Sequence, residues 1–300
     1  METDHMSPEP SPPMIEVTGI TKSFPKNAKS FGSTGGRFTA VDNVSLAIGR
    51  NEVVGLVGES GSGKTTLGRC ILRLVEPDSG NILVNLPGGI SEDLSTLTQD
   101  QLCAWRRHLQ IIFQDPFHSL NPAHTVREIV GEGLIIEGKL SRSEIRDKVA
   151  SMLKLVGLDQ DHLHRLPNEF SGGQRQRLAI ARALIVDPEF VVCDEVTSAL
   201  DTRTQKQVLD LLQEIREERG ISLLFISHDL QTVASVSDTV LVMRQGRIVE
   251  RGPPTTLFTN PGHGYTQTLI NAIPNPDPRK RSFRKSPAIR PTCAGLLHGG

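Results

Sequence analysis

Eight residues, Gly58-Glu59-Ser60-Gly61-Ser62-Gly63-Lys64-Thr65, place a lysine and a hydroxyl behind three glycines in the spacing G-x-x-x-x-G-K-[ST]. Glycines let the backbone curl so that successive N–H groups face one point, and a following helix adds the positive end of its dipole, so the pattern makes an anion nest. Lys64 can reach the β- and γ-phosphates of a triphosphate there, and the Thr65 hydroxyl suits Mg2+. The apolar run Val53–Val57 precedes the motif and the helix-like Thr66–Leu74 follows it, which is the context such a loop requires. A glycine-rich turn with a chance lysine would need neither flank.

A second stretch, Ser171-Gly172-Gly173-Gln174-Arg175, opens an apolar helix with a serine N-cap and two glycines that permit close backbone approach, again an anion site of the helix-terminus kind. One nucleotide rarely needs two such sites in one chain. Asp194-Glu195 follows the buried-looking strand Phe190–Cys193, and carboxylates at the end of a parallel strand border the ligand crevice of open α/β sheets. Asp194 is placed to hold a metal shell and Glu195 to polarise water. His228, after the strand Ser222–Ile226, can position the γ-phosphate or hold Glu195 in line, and Gln114 offers an amide oxygen to metal and water.

The elements that must position these groups alternate between strand and helix. Ile15–Ile20 and Val41–Ile48 alternate with period two, Asn81–Asn85 reads as a short strand, and a helix is expected near Gln101 to Leu109. Ile145, Val149, Met152, Leu153 and Val156 share a helical face within a segment that suits an inserted helical subdomain, and Val208, Leu211, Leu212 and Ile215 mark another amphipathic helix. The alternation implies a mainly parallel sheet covered on both faces.

Composition narrows the classes. The 300 residues carry 33 basic and 34 acidic side chains, a net charge of -1, so no global field draws the chain to nucleic acid. No run reaches the roughly 18 apolar residues of a membrane helix, and Met1–His5 lacks the order of a signal peptide, so the chain is expected to be intracellular. Cys70, Cys103, Cys193 and Cys293 show no C-x-x-C spacing; neither a disulfide nor a cysteine metal site is expected. Pro8, Pro10, Pro12 and Pro13 mark a disordered leader.

These motifs, in order and spacing, resemble the ATP-binding subunit of an ABC transporter over residues 14 to about 275. Gly58 to Thr65 match its Walker A loop, Gln114 its Q-loop, Ser171 to Gln174 its signature, Phe190 to Glu195 its Walker B strand, Ser198-Ala199-Leu200-Asp201 its D-loop and His228 its switch histidine. The resemblance implies an α/β fold: a P-loop NTPase (RecA-like) core with a mainly parallel sheet, an N-terminal antiparallel β subdomain and an inserted α-helical subdomain at about 115–172. It further implies a leader at 1–13, the ATP-binding domain at 14–270 and a short tail at 271–300.

For the site, the family pattern implies ATP held by Phe24, Gly58, Glu59, Ser60, Gly61, Ser62, Gly63, Lys64, Thr65 and Thr66. Ser171, Gly172, Gly173 and Gln174 would close over it from a second subunit in a head-to-tail dimer. Mg2+ falls to Thr65, Gln114 and Asp194, and catalysis to Glu195, His228 and Gln114. Phe24 is the candidate for stacking adenine, with Phe31 and Phe38 as nearby rivals. The partners implied are two integral membrane permease subunits, a homodimeric or related heterodimeric ATPase partner and a separate substrate-binding protein. The location implied is the cytoplasmic face of the inner membrane.

Phe113–Pro122 and the tail from Pro261 to Pro278 are similar to importers of dipeptides, oligopeptides and nickel, and a peptide importer leads. A nickel or glutathione importer stays open, as does a soluble ABC ATPase acting on DNA or ribosomes, although no second cassette or long coiled-coil insertion is seen. Three departures stand out. Val196 replaces the proline that usually follows the catalytic Glu, which changes loop stiffness more than chemistry. Phe170 stands where many members have leucine. After Pro278 only Cys293 remains of the cysteines that hold an iron–sulfur cluster in many relatives, so no cluster is expected. Arg279, Lys280, Arg281, Arg284, Lys285 and Arg290 make a basic tail, read as solvated.

Overall fold

Alternating burial begins at the first strand, Ile15–Pro25 (β1), which pairs antiparallel with Arg37–Ile48 (β2) from Ile15 opposite Ile48 to Phe24 opposite Phe38. The computed structural model describes residues 12–25 and 36–272. Most of the leader, Phe31 and the loop around it, and the tail from residue 273 with Cys293 and its basic residues lie outside the described residues.

Val53–Val57 (β3) is apolar throughout and fully buried. The glycine loop follows, then Lys64–Ile71 (α1), which ends where Arg73 takes a left-handed φ of 48° and donates to the Leu97 carbonyl at 2.7 Å. The helix expected to reach Leu74 is shorter for that reason. Ser79–Leu86 (β4) and Ile90–Asp93 (β5) complete a four-stranded antiparallel sheet in the order β2-β1-β4-β5.

Gln99–Trp105 (α2) opens with a Thr98/Gln101 capping box. The expected extension of this helix to Leu109 is corrected: Leu109 begins Leu109–Ile112 (β6), where it is buried opposite Phe190. Strand pairing overrides helical preference at that position. Pro116–Ser119 (α3), Val126–Glu137 (α4) and Arg142–Leu155 (α5) follow, with Ile145, Val149, Met152 and Leu153 buried on one face of α5. Two short 3-10 turns lead to Gly172–Leu184 (α6).

Phe190–Asp194 (β7), Thr202–Arg219 (α7), Ser222–Ser227 (β8) and Leu230–Val236 (α8) continue the α/β order. Thr239–Arg244 (β9) and Arg247–Gly252 (β10) form an antiparallel hairpin, followed by Pro254–Thr259 (α9) and Gly264–Ala272 (α10). The six-stranded sheet runs β10-β9-β3-β8-β7-β6 and is parallel except at β10.

Its two faces feed two separate cores. Val53, Val57, Val191, Cys193, Leu223 and Phe225 pack with α4 to α7, while Val54, Leu56, Phe190, Val192, Leu224 and Ile226 pack with α1 and the antiparallel sheet. Burial on both faces explains why these strands are continuous apolar runs. α1 lies close on its side: a Cβ at Gly68 would sit 2.9 Å from Ile226 Cδ1 and 3.0 Å from Val192 Cγ1. The consequence is positional, since the glycine loop, Asp194 and His228 all emerge at the same end of β3, β7 and β8. Among the described residues no helix is long and apolar enough to cross a membrane.

Candidate functional site

The glycine loop is walled by backbone from elsewhere. A Cβ at Gly58 would lie 2.1 Å from the Met243 carbonyl oxygen, and one at Gly63, whose φ is 106°, would lie 2.1 Å from that of Ala40. Both positions therefore require glycine sterically. Gly63 is the N-cap of α1 and supplies no side-chain cap, so the first-turn amides of α1 are left for an anion. The loop is further tied to the β9–β10 turn, where the Gly246 N–H donates to the Ser62 carbonyl at 2.9 Å.

Lys64 is buried, and its Nζ donates to the carbonyls of Gly58 at 2.8 Å and Glu59 at 3.0 Å. Burial pulls its pKa below the ordinary lysine value, opposed by the nearby Glu195 and Asp194. The Thr65 hydroxyl donates to Asp194 Oδ1 at 2.8 Å. Burial raises the Asp194 carboxyl above the usual range, with the Thr65 bond and Arg69 acting against it.

Glu195 sits just past β7 with a left-handed φ of 49°, a strained conformation for a non-glycine residue. Its N–H donates to the Ile226 carbonyl at 2.9 Å, which fixes the strained turn to β8. Gln114 Nε2 donates to Glu195 Oε2 at 2.9 Å, and His228 Nδ1 lies 3.4 Å from the same oxygen. One carboxylate oxygen thus carries both neighbours, and the other stays available.

A cleft of about 350 Å3 is lined by Phe24, Phe38, Ala40, Ser60, Gly61, Gly63, Lys64, Thr65, Thr66, Gln114 and Glu195. Gly58, Ser62 and Asp194 are buried and Glu59 is exposed; none of the four is in that lining. Phe24 and Phe38 are cross-strand neighbours at its mouth, so the pair rather than one ring offers an aromatic surface. Lys22 Nζ lies 5.5 Å from the centre of the Phe24 ring. The walls from Ala40 and Met243 had no signal in the local sequence, because main-chain carbonyls carry no residue signature.

Ser171, Gly172, Gly173 and Gln174 do not line this cleft. Ser171 caps α6 in a reciprocal box, its N–H donating to Gln174 Oε1 at 3.0 Å and its hydroxyl oxygen accepting from the Gln174 N–H at 3.4 Å. The two glycines differ. A Cβ at Gly173 would meet Thr204 Cγ2 of α7 at 2.4 Å, whereas one at Gly172 would meet no described residue within 4 Å.

A cleft with free helix amides, a buried lysine and a carboxylate pair suits a nucleoside triphosphate, and comparison decides the family. The sequence profile described as ABC transporter matches residues 41–198, more than half of the chain. The chain belongs to the ABC transporter family. A second profile, the oligopeptide/dipeptide transporter C-terminal region, matches residues 249–299. A putative peptide import ATP-binding protein of Brucella ovis is 45% identical, covering 91% of this chain and 82% of that one. The oligopeptide transport ATP-binding protein OppF of Bacillus subtilis is 47% identical, covering 88% and 86%.

Among solved structures, the dimeric post-hydrolysis state of the ATP-binding cassette MJ0796, bound to ADP and Pi, superposes with a TM-score of 0.69 at 30% identity, covering 80% of this chain and 99% of that one. The P-loop NTPase fold with its antiparallel β subdomain is that of these cassettes. As a member of this family the chain is an ABC-type ATPase subunit, and the relatives it resembles are named for peptide import.

Proposed function

We propose that ATP lies in the cleft with its triphosphate on the α1 amides and Lys64, and that its hydrolysis drives closure of an ATPase dimer against membrane permease subunits. The observation that carries this reading is the uncapped N-terminus of α1, with Lys64 at its base and Asp194 and Glu195 beside it. Adenine stacks on Phe24, with Phe38 as its neighbour. Thr65, Asp194 and the amide oxygen of Gln114 form an all-oxygen donor set, which fits Mg2+; the ion, when bound, neutralises charge on the β- and γ-phosphates.

Glu195 accepts the proton of the attacking water as its oxygen joins the γ-phosphorus and the bond to ADP breaks. His228 and Gln114 hold the carboxylate in line through its shared oxygen. Gly172 supports the dimer reading: no described residue stands within 4 Å of where its Cβ would be, so its backbone is open to approach by a second molecule. Ser171, Gly172, Gly173 and Gln174 of a second subunit, identical or related, then complete the site.

An apolar groove of about 560 Å3 between α2, β6 and α4 supports the permease contact, since exposed Ile136 and Leu74 rim it and Phe113, next to Gln114, lines its floor. Two integral membrane permease subunits would dock there, with a separate substrate-binding protein delivering di- or oligopeptides and the ATPase peripheral on the cytoplasmic face of the inner membrane. The domain bounds proposed are 14–270 for the ATP-binding domain and about 115–172 for the helical subdomain. A net charge of -1 favours no nucleic-acid partner.

Affinity purification of the Glu195→Gln chain from detergent-solubilised membranes with ATP and Mg2+ tests the assembly. Two integral membrane proteins and an ATPase partner are expected to co-purify. Recovery with ribosomal or DNA-bound proteins instead would overturn the transport reading.

A further inference from the structure

The last helix of the described residues, α10, reaches the phosphate loop through one hydroxyl. Tyr265, the only tyrosine of the chain, is buried on α10, and its hydroxyl oxygen accepts the Glu59 N–H at 2.9 Å. That N–H belongs to the same planar peptide group as the Gly58 carbonyl, which accepts Lys64 Nζ at 2.8 Å. In a trans peptide the two groups point opposite ways, so Tyr265 holds one end of a rigid plate and Lys64 rests on the other.

Tyr265 is itself held from three sides. The Arg244 guanidinium lies 4.8 Å over its ring, at the end of β9. Its own N–H donates to His263 Nδ1 at 3.1 Å. The turn before it is clamped by Glu250 of β10, whose carboxylate accepts from the Gly262 N–H at 2.7 Å and the His263 N–H at 3.1 Å. A strand, a turn and a helix thus converge to aim a single oxygen at the loop.

We propose that Tyr265 is a positioning residue of the nucleotide site: by orienting the Gly58–Glu59 peptide it sets where the Lys64 ammonium stands, and so couples the C-terminal region to nucleotide affinity. This rests on the nucleotide reading given above. Tyr265→Phe keeps the ring and the Arg244 stack and removes only the oxygen, leaving the Glu59 N–H without its acceptor. Lys64 then loses a fixed carbonyl and binds phosphate from a wider range of positions.

The test is calorimetric titration of the full chain with ADP and Mg2+, together with steady-state ATP hydrolysis. Tyr265→Phe is expected to weaken ADP binding about five- to tenfold while kcat at saturating ATP stays within about twofold, as for one lost hydrogen bond to a binding group. Glu250→Ala, which frees the turn, is expected to weaken binding in the same direction, and the double variant no further than the stronger single one. Val149→Ala, a cavity in α5, is expected to lower the melting temperature without moving the ADP affinity. Parent-like affinity in Tyr265→Phe, or an equal loss in Val149→Ala, would overturn the proposal. A parent chain that binds no ADP would instead remove the nucleotide reading itself.

Discussion

Two helix N-termini of this chain look alike in sequence and differ in what they have already done with their polar groups. α1 begins at Gly63 without a side-chain cap; around it Lys64 rests on two carbonyls, Thr65 on Asp194 and Gln114 on Glu195, while the buried Ser62 hydroxyl has no partner among the described residues. α6 begins at Ser171, outside the cleft, with the Gln174 N–H capped by the Ser171 hydroxyl and the Ser171 N–H held by the Gln174 side chain. The first is an open anion site assembled by one chain. The second has a side-chain cap and, on the proposed reading, offers the Ser171 hydroxyl proton and the bare Gly172 backbone to another molecule. On that reading a phosphate-binding half and a closing half need different local chemistry, even though each is a glycine-rich start of a helix.

The contrast can be broken most severely at Lys64. Lys64→Ala is expected to reduce ATP binding by more than about 100-fold, because it removes the one ammonium at the base of the cleft, while the fold persists by circular dichroism. Affinity within tenfold of the parent would mean that the α1 amides alone hold the ligand.

The second half is sharpened by its two glycines. Gly173→Ala is expected to destabilise the isolated chain by about 1–3 kcal/mol through the clash with the Thr204 methyl, and Thr204→Ser, which removes that methyl, should restore most of the loss. Gly172→Ala should leave the denaturation midpoint of the isolated chain near that of the parent and depress ATP hydrolysis of the assembled transporter. If both glycines behave alike in the isolated chain, the assignment of Gly172 to an outside contact fails.

The smallest effect concerns Asp194. Because burial raises its folded pKa above the unfolded value, the folded chain binds that proton more tightly, and the stability due to this group rises as pH falls through the raised value. Asp194→Asn should therefore raise the melting temperature of the nucleotide-free chain at neutral pH, since it removes a buried charge while keeping an oxygen to accept from Thr65. It should also flatten the acid side of the stability profile while weakening hydrolysis in Mg2+. A melting temperature below that of the parent would show that Thr65 and Arg69 outweigh the burial.

Local chemistry explains how much of this was legible beforehand. Gly58 to Thr65 and the strands at Val53, Phe190 and Ser222 announce themselves through residue type and spacing, since steric and burial demands act on neighbours in the chain. Leu109 was misplaced into a helix because only its pairing with Phe190, far along the chain, makes it a strand residue. Phe38 gained its place beside Phe24 through antiparallel register, and Tyr265 reached Glu59 across 206 positions. Such contacts leave no periodic trace. Gly63 was legible as part of a motif, yet the reason it must be glycine, the Ala40 carbonyl, came only with the fold.

The carbonyls that hold Lys64 also bear on affinity. A phosphate that draws the ammonium to itself must compete with two carbonyls of the loop, those of Gly58 and Glu59, at 2.8 and 3.0 Å. The firmer the loop's own grip on its lysine, the weaker the net hold on a nucleotide, so affinity is tuned by the backbone as well as by the side chain.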